Sequence, residues 1–163
     1  MLEACRAKFG DDREDYAEAL QRHYREGPPA NWQERFVSAY ATSHPWEDFA
    51  ETWAHYFHIV DTLEMANAFG VRLEPAIDRE GGHKARVDFD PCVDGGIGQI
   101  LDAWAPFVVA MNSINRAIGR PDLYPFILTP AVAEKLGFIQ DLVRGAATRS
   151  EAAPSPARGR GLG

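Results

Sequence analysis

The chain is 163 residues long, enough for one domain with a core of its own. Hydrophobic residues make up 45% and charged residues 25%, a globular balance, and the net charge of −7 argues against nucleic acid as a partner. No apolar run reaches the roughly 18 positions of a membrane span, the charged start Met1-Leu2-Glu3-Ala4-Cys5-Arg6 is no secretory signal, and Cys5 and Cys92 make neither a disulfide framework nor a cysteine zinc site. These readings predict a cytoplasmic protein with no membrane partner.

In chain order, Asp11-Asp12-Arg13-Glu14 has the cap-then-glutamate spacing of a helix start, and Tyr16, Ala19, Leu20 and Tyr24 follow at helical spacing. Gly27-Pro28-Pro29 ends that helix. Asn31-Trp32-Gln33-Glu34 repeats the cap spacing and predicts a short helix through Phe36, Val37 and Tyr40. Pro45 suits a first helical turn and opens a long helix to about Phe69, with Gly70 as its stop. Residues 71–96 read as irregular, with Arg-Glu-Gly-Gly at 79–82, Asp-Pro at 90–91 and alternating apolar positions near Val87 and Phe89 that allow a short hairpin. A helix over 97–118 carries Ile100, Leu101, Trp104, Phe107, Val108, Met111 and Ile118 and ends at Gly119. Gly95-Gly96-Ile97-Gly98 reads as the start of that helix, because the Walker lysine of a phosphate loop is absent. Arg120 to Pro125 is a turn-rich connector, and Thr129-Pro130 caps a last helix to about Val143. The expectation is a mainly α domain over 1–144, followed by a disordered Ala/Pro/Gly/Arg tail over 145–163.

The long helix carries the chemistry. With Glu47 at 0°, a rotation of about 100° per residue puts Glu51 at about 40°, His55 at about 80°, His58 at about 20° and Thr62 at about 60°. Trp46, Phe49, Trp53, Phe57 and Val60 crowd the other side, which predicts a largely buried helix. No Lys or Arg lies between Arg35 and Arg72, so Glu47, Asp48, Glu51, Asp61 and Glu64 have only histidines near them in sequence. Buried acids without basic partners need a cation, a proton or water. A divalent metal is one answer, and a solvated face with ordinary helix pairs is the other. A ferritin-like di-iron site loses ground, because Glu47-Asp-Phe-Ala50 and Glu51-Thr-Trp-Ala54 lack the histidine three residues on. Cys92, beside Pro91, reads as a small loop residue rather than a nucleophile.

The run His44-Pro45-Trp46-Glu47-Asp48-Phe49-Ala50-Glu51-Thr52-Trp53-Ala54-His55-Tyr56 resembles a bacterial family of zinc-binding metallopeptidases. Phe9-Gly10-Asp11, His23-Tyr24, Phe36-Val37-Ser38-Ala39-Tyr40, Asn112-Ser113-Ile114-Asn115-Arg116 and the stretch from Pro121 to Phe126 extend the resemblance over roughly residues 8–143. The block from Tyr40 to Glu51 is also similar to the third-ligand helix of zinc peptidases related to anthrax lethal factor. That likeness implies zinc as cofactor, Glu47 as its ligand and Tyr40 as the catalytic residue that reaches the substrate oxyanion. It implies that Glu51 holds a ligand histidine from behind and that His55 extends this network. His58 either joins the network or is a core histidine satisfied by a backbone carbonyl. Asn112, Asn115 and Arg116 either line a substrate cleft or bond to neighbouring helices. A peptide or protein is the implied substrate.

Such enzymes take two zinc ligands and the general base from a His-Glu-x-x-His helix. None of His23, His44, His55, His58 and His83 sits in that pattern. The expectation is therefore the C-terminal part of a metallopeptidase, truncated at its N-terminus and inactive alone. The competing expectation is a non-catalytic helical remnant that binds a protein partner through an exposed surface of Trp32, Trp46, Trp53 and Trp104.

Overall fold

The computed structural model describes residues 1–76 and 84–151, with side chains to residue 145. The expected segment at 79–82, His83 and residues 152–163 of the expected tail lie outside the described residues. Five α-helices account for most of the rest: α1 (Leu2–Phe9), α2 (Tyr16–Glu26), α3 (Pro45–Ala68), α4 (Ile97–Ala117) and α5 (Pro130–Glu151). Two 3-10 turns, Trp32–Glu34 and Tyr40–Thr42, lie between α2 and α3. The strands β1 (Arg72–Leu73) and β2 (Ala85–Arg86) pair antiparallel, with Arg72 opposite Arg86. The protein is mainly α, as its sequence predicts.

Local chemistry sets the helix limits. The Pro45 start of α3 is held by the His44 side chain, whose Nδ1 accepts the Trp46 N–H at 3.1 Å, and the other ring nitrogen, Nε2, donates to the Glu14 carbonyl at 3.0 Å. Just past its end Gly70 takes φ 62°, a left-handed value that favours glycine. Helix α2 starts at a different cap from the expected one. Asp15 Oδ1 accepts the Glu18 N–H at 2.9 Å, while Asp11 is spent on Arg13. Two cap-like acids compete there, and the arginine fork takes the first.

Three departures from the sequence reading concern extent. Leu2–Phe9 forms a helix that composition alone did not mark. The predicted short helix from Asn31 to Tyr40 is instead two separate 3-10 turns, because Phe36 to Ser38 turn inward to the core rather than continue one face. Helix α5 continues past Val143 to Glu151, so residues 145–151 of the expected disordered tail over 145–163 are helical instead. Helix α4, among the described residues, is also long and apolar enough by length and composition to cross a bilayer, against the expectation from apolar runs. Here it packs on α3 and α5.

The core forms where α3, α4 and α5 meet. Tyr56, Ile59 and Leu63 of α3, Ile100, Trp104 and Phe107 of α4, and Val132, Leu136 and Ile139 of α5 are all buried. Each such side chain stabilises the fold by about 1.5–3 kcal/mol. Gly137 lets α4 close on α5: a Cβ there would lie 3.2 Å from Ile97 Cγ2. Phe9 ties α1 on edge to Phe49 at 5.3 Å and to Phe138 at 5.8 Å.

Helix α3 turns a different face inward from the predicted one. Its buried residues are Asp48, Thr52, His55, Tyr56, Ile59, Val60, Leu63 and Ala66, whereas Trp46 and Phe57 are exposed and Phe49 and Trp53 half-buried. The four expected surface tryptophans also divide: Trp104 belongs to the core and Trp46 to the surface.

Candidate functional site

The candidate site lies where α2 meets the first turn of α3. Glu47 is half-buried there, and the Tyr16 hydroxyl donates to its Oε1 at 2.6 Å. The Tyr16 ring is fixed by stacking on Trp46 at 5.9 Å and by edge contact with His44 at 5.2 Å. Tyr40, on the 3-10 turn, lies close enough to Tyr16 and Glu47 to interact electrostatically with both.

Both phenols are held above the usual tyrosine range. For Tyr16 the leading cause is its bond to Glu47, followed by the bond to Tyr40. For Tyr40 the bond with Tyr16 pulls downward, and loss of solvent together with the Glu47 charge outweighs it. Each therefore keeps its O–H at neutral pH.

One turn along, the Ser38 hydroxyl donates to Glu51 Oε2 at 2.8 Å, and the Ser38 Oγ in turn accepts the Ala41 N–H at 3.1 Å. Ser38 is buried and Glu51 half-buried, so the segment that carries Tyr40 also anchors Glu51.

The stripe does not continue to the histidines. His55 is buried, with Nδ1 2.6 Å from the Tyr124 hydroxyl and its ring edge-on to Phe126 at 4.5 Å. Burial, followed by the His58 charge, lowers its pKa to about 4, so it is neutral. Each i to i+4 step rotates about 40° around the helix, and two steps carry the row from the Glu47 side into the core. His55 therefore belongs to the packing against the 120–126 connector rather than to a network behind Glu47. His58 is exposed, and its ring meets that of His55 edge-on at 5.9 Å.

Asn112, Asn115 and Arg116 hold that connector. Asn112 bonds both backbone groups of Tyr124, at 2.9 and 3.0 Å, Asn115 donates to the Pro121 carbonyl at 3.2 Å, and Arg116 forks onto Asp122 at 2.6 and 2.5 Å. Cys92 sits among Asp90, Glu64 and Asp61, and burial and these charges raise its thiol, which matches a loop residue and not a nucleophile.

The buried acid of α3 is Asp48, and its cation comes from the far end of the chain. Lys135 Nζ on α5 lies 2.5 Å from Asp48 Oδ2, donates to the Arg35 carbonyl at 2.8 Å and sits 4.4 Å over the Phe36 ring. Sequence proximity could not reveal this partner. Burial raises the Asp48 carboxyl to about 6, and the Lys135 bond offsets part of that rise.

Among the described residues no group of three or more His, Cys, Asp or Glu is placed to hold a metal ion. A protein zinc site needs at least three ligands, so these residues do not make a complete one. What they present is one carboxylate braced by one tyrosine, with a second tyrosine hydroxyl beside it. Tyr16 escaped the sequence reading because its helical spacing matched that of a core position and Glu47 lies 31 residues on.

A family model described as "Putative zinc-binding metallo-peptidase" matches residues 1–142. The chain belongs to this metallo-peptidase family. Similar proteins include uncharacterized proteins of Mycobacterium bovis (strain AF2122/97) and Mycobacterium tuberculosis (strain H37Rv), each 46% identical over 147 residues. The match covers 90% of the metallo-peptidase chain and 40% of each relative, so the chain spans less than half the length of the curated relatives it matches. No solved structure matches it.

Proposed function

We propose that this chain supplies the third-ligand segment of a zinc peptidase centre, with Glu47 as the ligand and Tyr40 as the donor to the substrate oxyanion. The observation that supports this reading is the Tyr16–Glu47–Tyr40 cluster on the first turn of α3. Bound zinc would polarise a scissile carbonyl and activate water. The remaining ligands and the general base would come from a His-Glu-x-x-His segment outside these 163 residues. Tyr16 holds one Glu47 oxygen and leaves the other for coordination. Tyr40 keeps its proton at neutral pH and can turn that O–H from the phenol–carboxylate cluster toward developing negative charge. Glu51, set by Ser38, is placed one turn along to receive the N–H of a ligand histidine. The substrate is a peptide or protein, and the two free cysteines support a reducing, cytoplasmic setting.

A second reading is a partner-binding helical module without chemistry. The observation favouring it is the ring row Phe49–Trp53–Phe57 on α3, with Trp46 and Phe57 exposed.

The test expresses the chain together with the coding sequence that precedes it. Stoichiometric zinc and chelator-sensitive peptide cleavage are expected. Glu47→Ala loses zinc, whereas Tyr40→Phe keeps zinc and loses about 10²–10³ in turnover. Glu51→Gln weakens zinc binding or activity by about 10–100-fold. Zinc retained in Glu47→Ala but lost in Tyr40→Phe refutes the assigned roles, and no zinc in the extended protein favours the second reading.

A further inference from the structure

After α4 the chain returns along that helix, and the returning segment 124–128 is extended. Its burial alternates: Tyr124 is buried, Phe126 and Leu128 are half-buried, and Pro125 and Ile127 are exposed. A period of two is the mark of extended backbone, and the prolines at 125 and 130 favour that state in the residues before them. In such backbone the N–H and C=O of one residue leave by the same edge, and those of the next residue by the opposite edge. Asn112 of α4 marks the edge that faces the helix. Its Oδ1 accepts the Tyr124 N–H at 3.0 Å and its Nδ2 donates to the Tyr124 carbonyl at 2.9 Å, so the carboxamide stands where a residue of a neighbouring strand would pair. By alternation the N–H and C=O of Phe126 and Leu128 leave by the same edge. Neither residue has a backbone hydrogen-bond partner among the described residues. Pro125, which has no N–H, falls on the opposite edge and does not interrupt this one.

Past the Asn112 bridge a cavity of about 310 Å³ opens between the two elements, with Ala105, Val108 and Val109 of α4 on one side and Phe126 and Leu128 on the other. No residue of the Tyr16–Glu47 cluster lines it. The walls are apolar, and Asp102 is the one charged residue in the lining. Asp102 is exposed and has no ion-pair or hydrogen-bond partner among the described residues.

We infer that this groove docks an extended segment of a partner protein, added as a strand beside Phe126 and Leu128, with an apolar side chain in the cavity and a lysine or arginine beside Asp102. Three observations fix that occupant. Open N–H and C=O groups at two-residue spacing pair best with another extended main chain, which supplies the affinity. The walls take an apolar side chain and cover Val109, which is 50% exposed. The Asp102 carboxylate favours a base, in a chain whose net charge of −7 already repels an acidic segment. The volume suits one inserted side chain and the main chain on either side of it, at the small end of ligand sites. The inference goes beyond the peptidase reading and needs neither zinc nor Glu47.

The test is an amide NMR titration of the 163-residue chain with the capped peptide Lys-Thr-Leu-Thr-Lys. Saturable shifts are expected at Val108, Val109, Phe126 and Leu128, and the Phe126 and Leu128 amides should gain protection from hydrogen exchange, which side-chain contact alone would not give. Two N-methylated forms of the peptide probe the pairing, one methylated at leucine and the other at both threonines. Strand addition uses alternate residues, so one form should bind about tenfold more weakly and the other about as well as the parent. Alanine in place of leucine should cost about tenfold, and glutamates in place of the lysines about three- to fivefold. Asp102→Asn should remove that last difference and keep the rest, and Val109→Glu, on an exposed position, should abolish binding while the spectrum stays folded. Equal binding of the two methylated forms, no added protection at Phe126 and Leu128, or shifts confined to other surfaces overturns the groove as a strand-docking site.

Discussion

Replacing Lys135 with methionine removes the cation ion-paired with buried Asp48, and the cost can be worked out before the experiment. The Asp48 carboxyl rises from 3.8 to about 6 on folding, because burial outweighs the Lys135 bond. At about 1.4 kcal/mol per pH unit, its ionised form already costs the wild-type fold about 3 kcal/mol at neutral pH. The sign follows from linkage: the folded state holds the proton more tightly, so this contribution is full below pH 3.8 and is lost as pH rises through about 6. In Lys135→Met the folded carboxyl rises further. It then takes up a proton at neutral pH rather than stay charged, which caps the added electrostatic cost at pH 7 at about 1.4 kcal/mol. The Arg35 carbonyl also loses its donor, about 1 kcal/mol more. Methionine keeps the apolar stem over Phe36. Urea unfolding should therefore show a loss of about 2–2.5 kcal/mol at pH 7 that shrinks to about 1 kcal/mol at pH 5, where wild-type Asp48 is itself protonated. An equal loss at both pH values, or a larger one at pH 5, would refute the assignment of Asp48 as the burdened acid.

Three further outcomes are expected. His55 runs opposite to Asp48: its folded pKa falls from 6.5 to about 4, so its contribution is lost as pH drops through that window. The two slopes oppose each other in the wild type, and urea unfolding between pH 6.5 and 4.5 should show greater acid sensitivity than wild type in Asp48→Asn and less in His55→Gln, by about 2 kcal/mol each. Tyr16→Phe should cost about 1 kcal/mol in thermal unfolding and, in the zinc-containing extended protein, weaken zinc by about tenfold, whereas zinc affinity equal to wild type would remove Tyr16 from the site. Asn112→Leu should cost about 2–3 kcal/mol by orphaning both backbone groups of Tyr124, and hydrogen exchange should quicken at Tyr124 while Glu47 and its neighbours stay protected.

What the sequence made legible was whatever the chain encodes locally. Pro45 and Gly70 bracket α3 within a residue or two because proline and glycine act through their own backbone preferences. Tyr40 and Glu47 meet across a short turn, so their spacing carries information. The partners of Asp48 and Glu47 were illegible for the same reason: Lys135 lies 87 residues from Asp48 and Tyr16 lies 31 from Glu47, and no periodicity links positions on separate helices. The missing bases between Arg35 and Arg72 left a metal as one answer for the acids on α3, and Lys135 supplies a cation at Asp48. Glu47 and Glu51 are held instead by hydroxyls from Tyr16 and Ser38. The helical stripe also promised too much. An i, i+4 row turns about 40° per step, so a row that begins at the surface beside α2 must enter the core two steps later. On the proposed peptidase reading the functional stretch of α3 ends at Glu51. Beyond it His55 keeps company with Tyr124 and Phe126, and further ligands to a metal on Glu47 would approach from the α2 side, because Asp48, Thr52 and the packed core close the other.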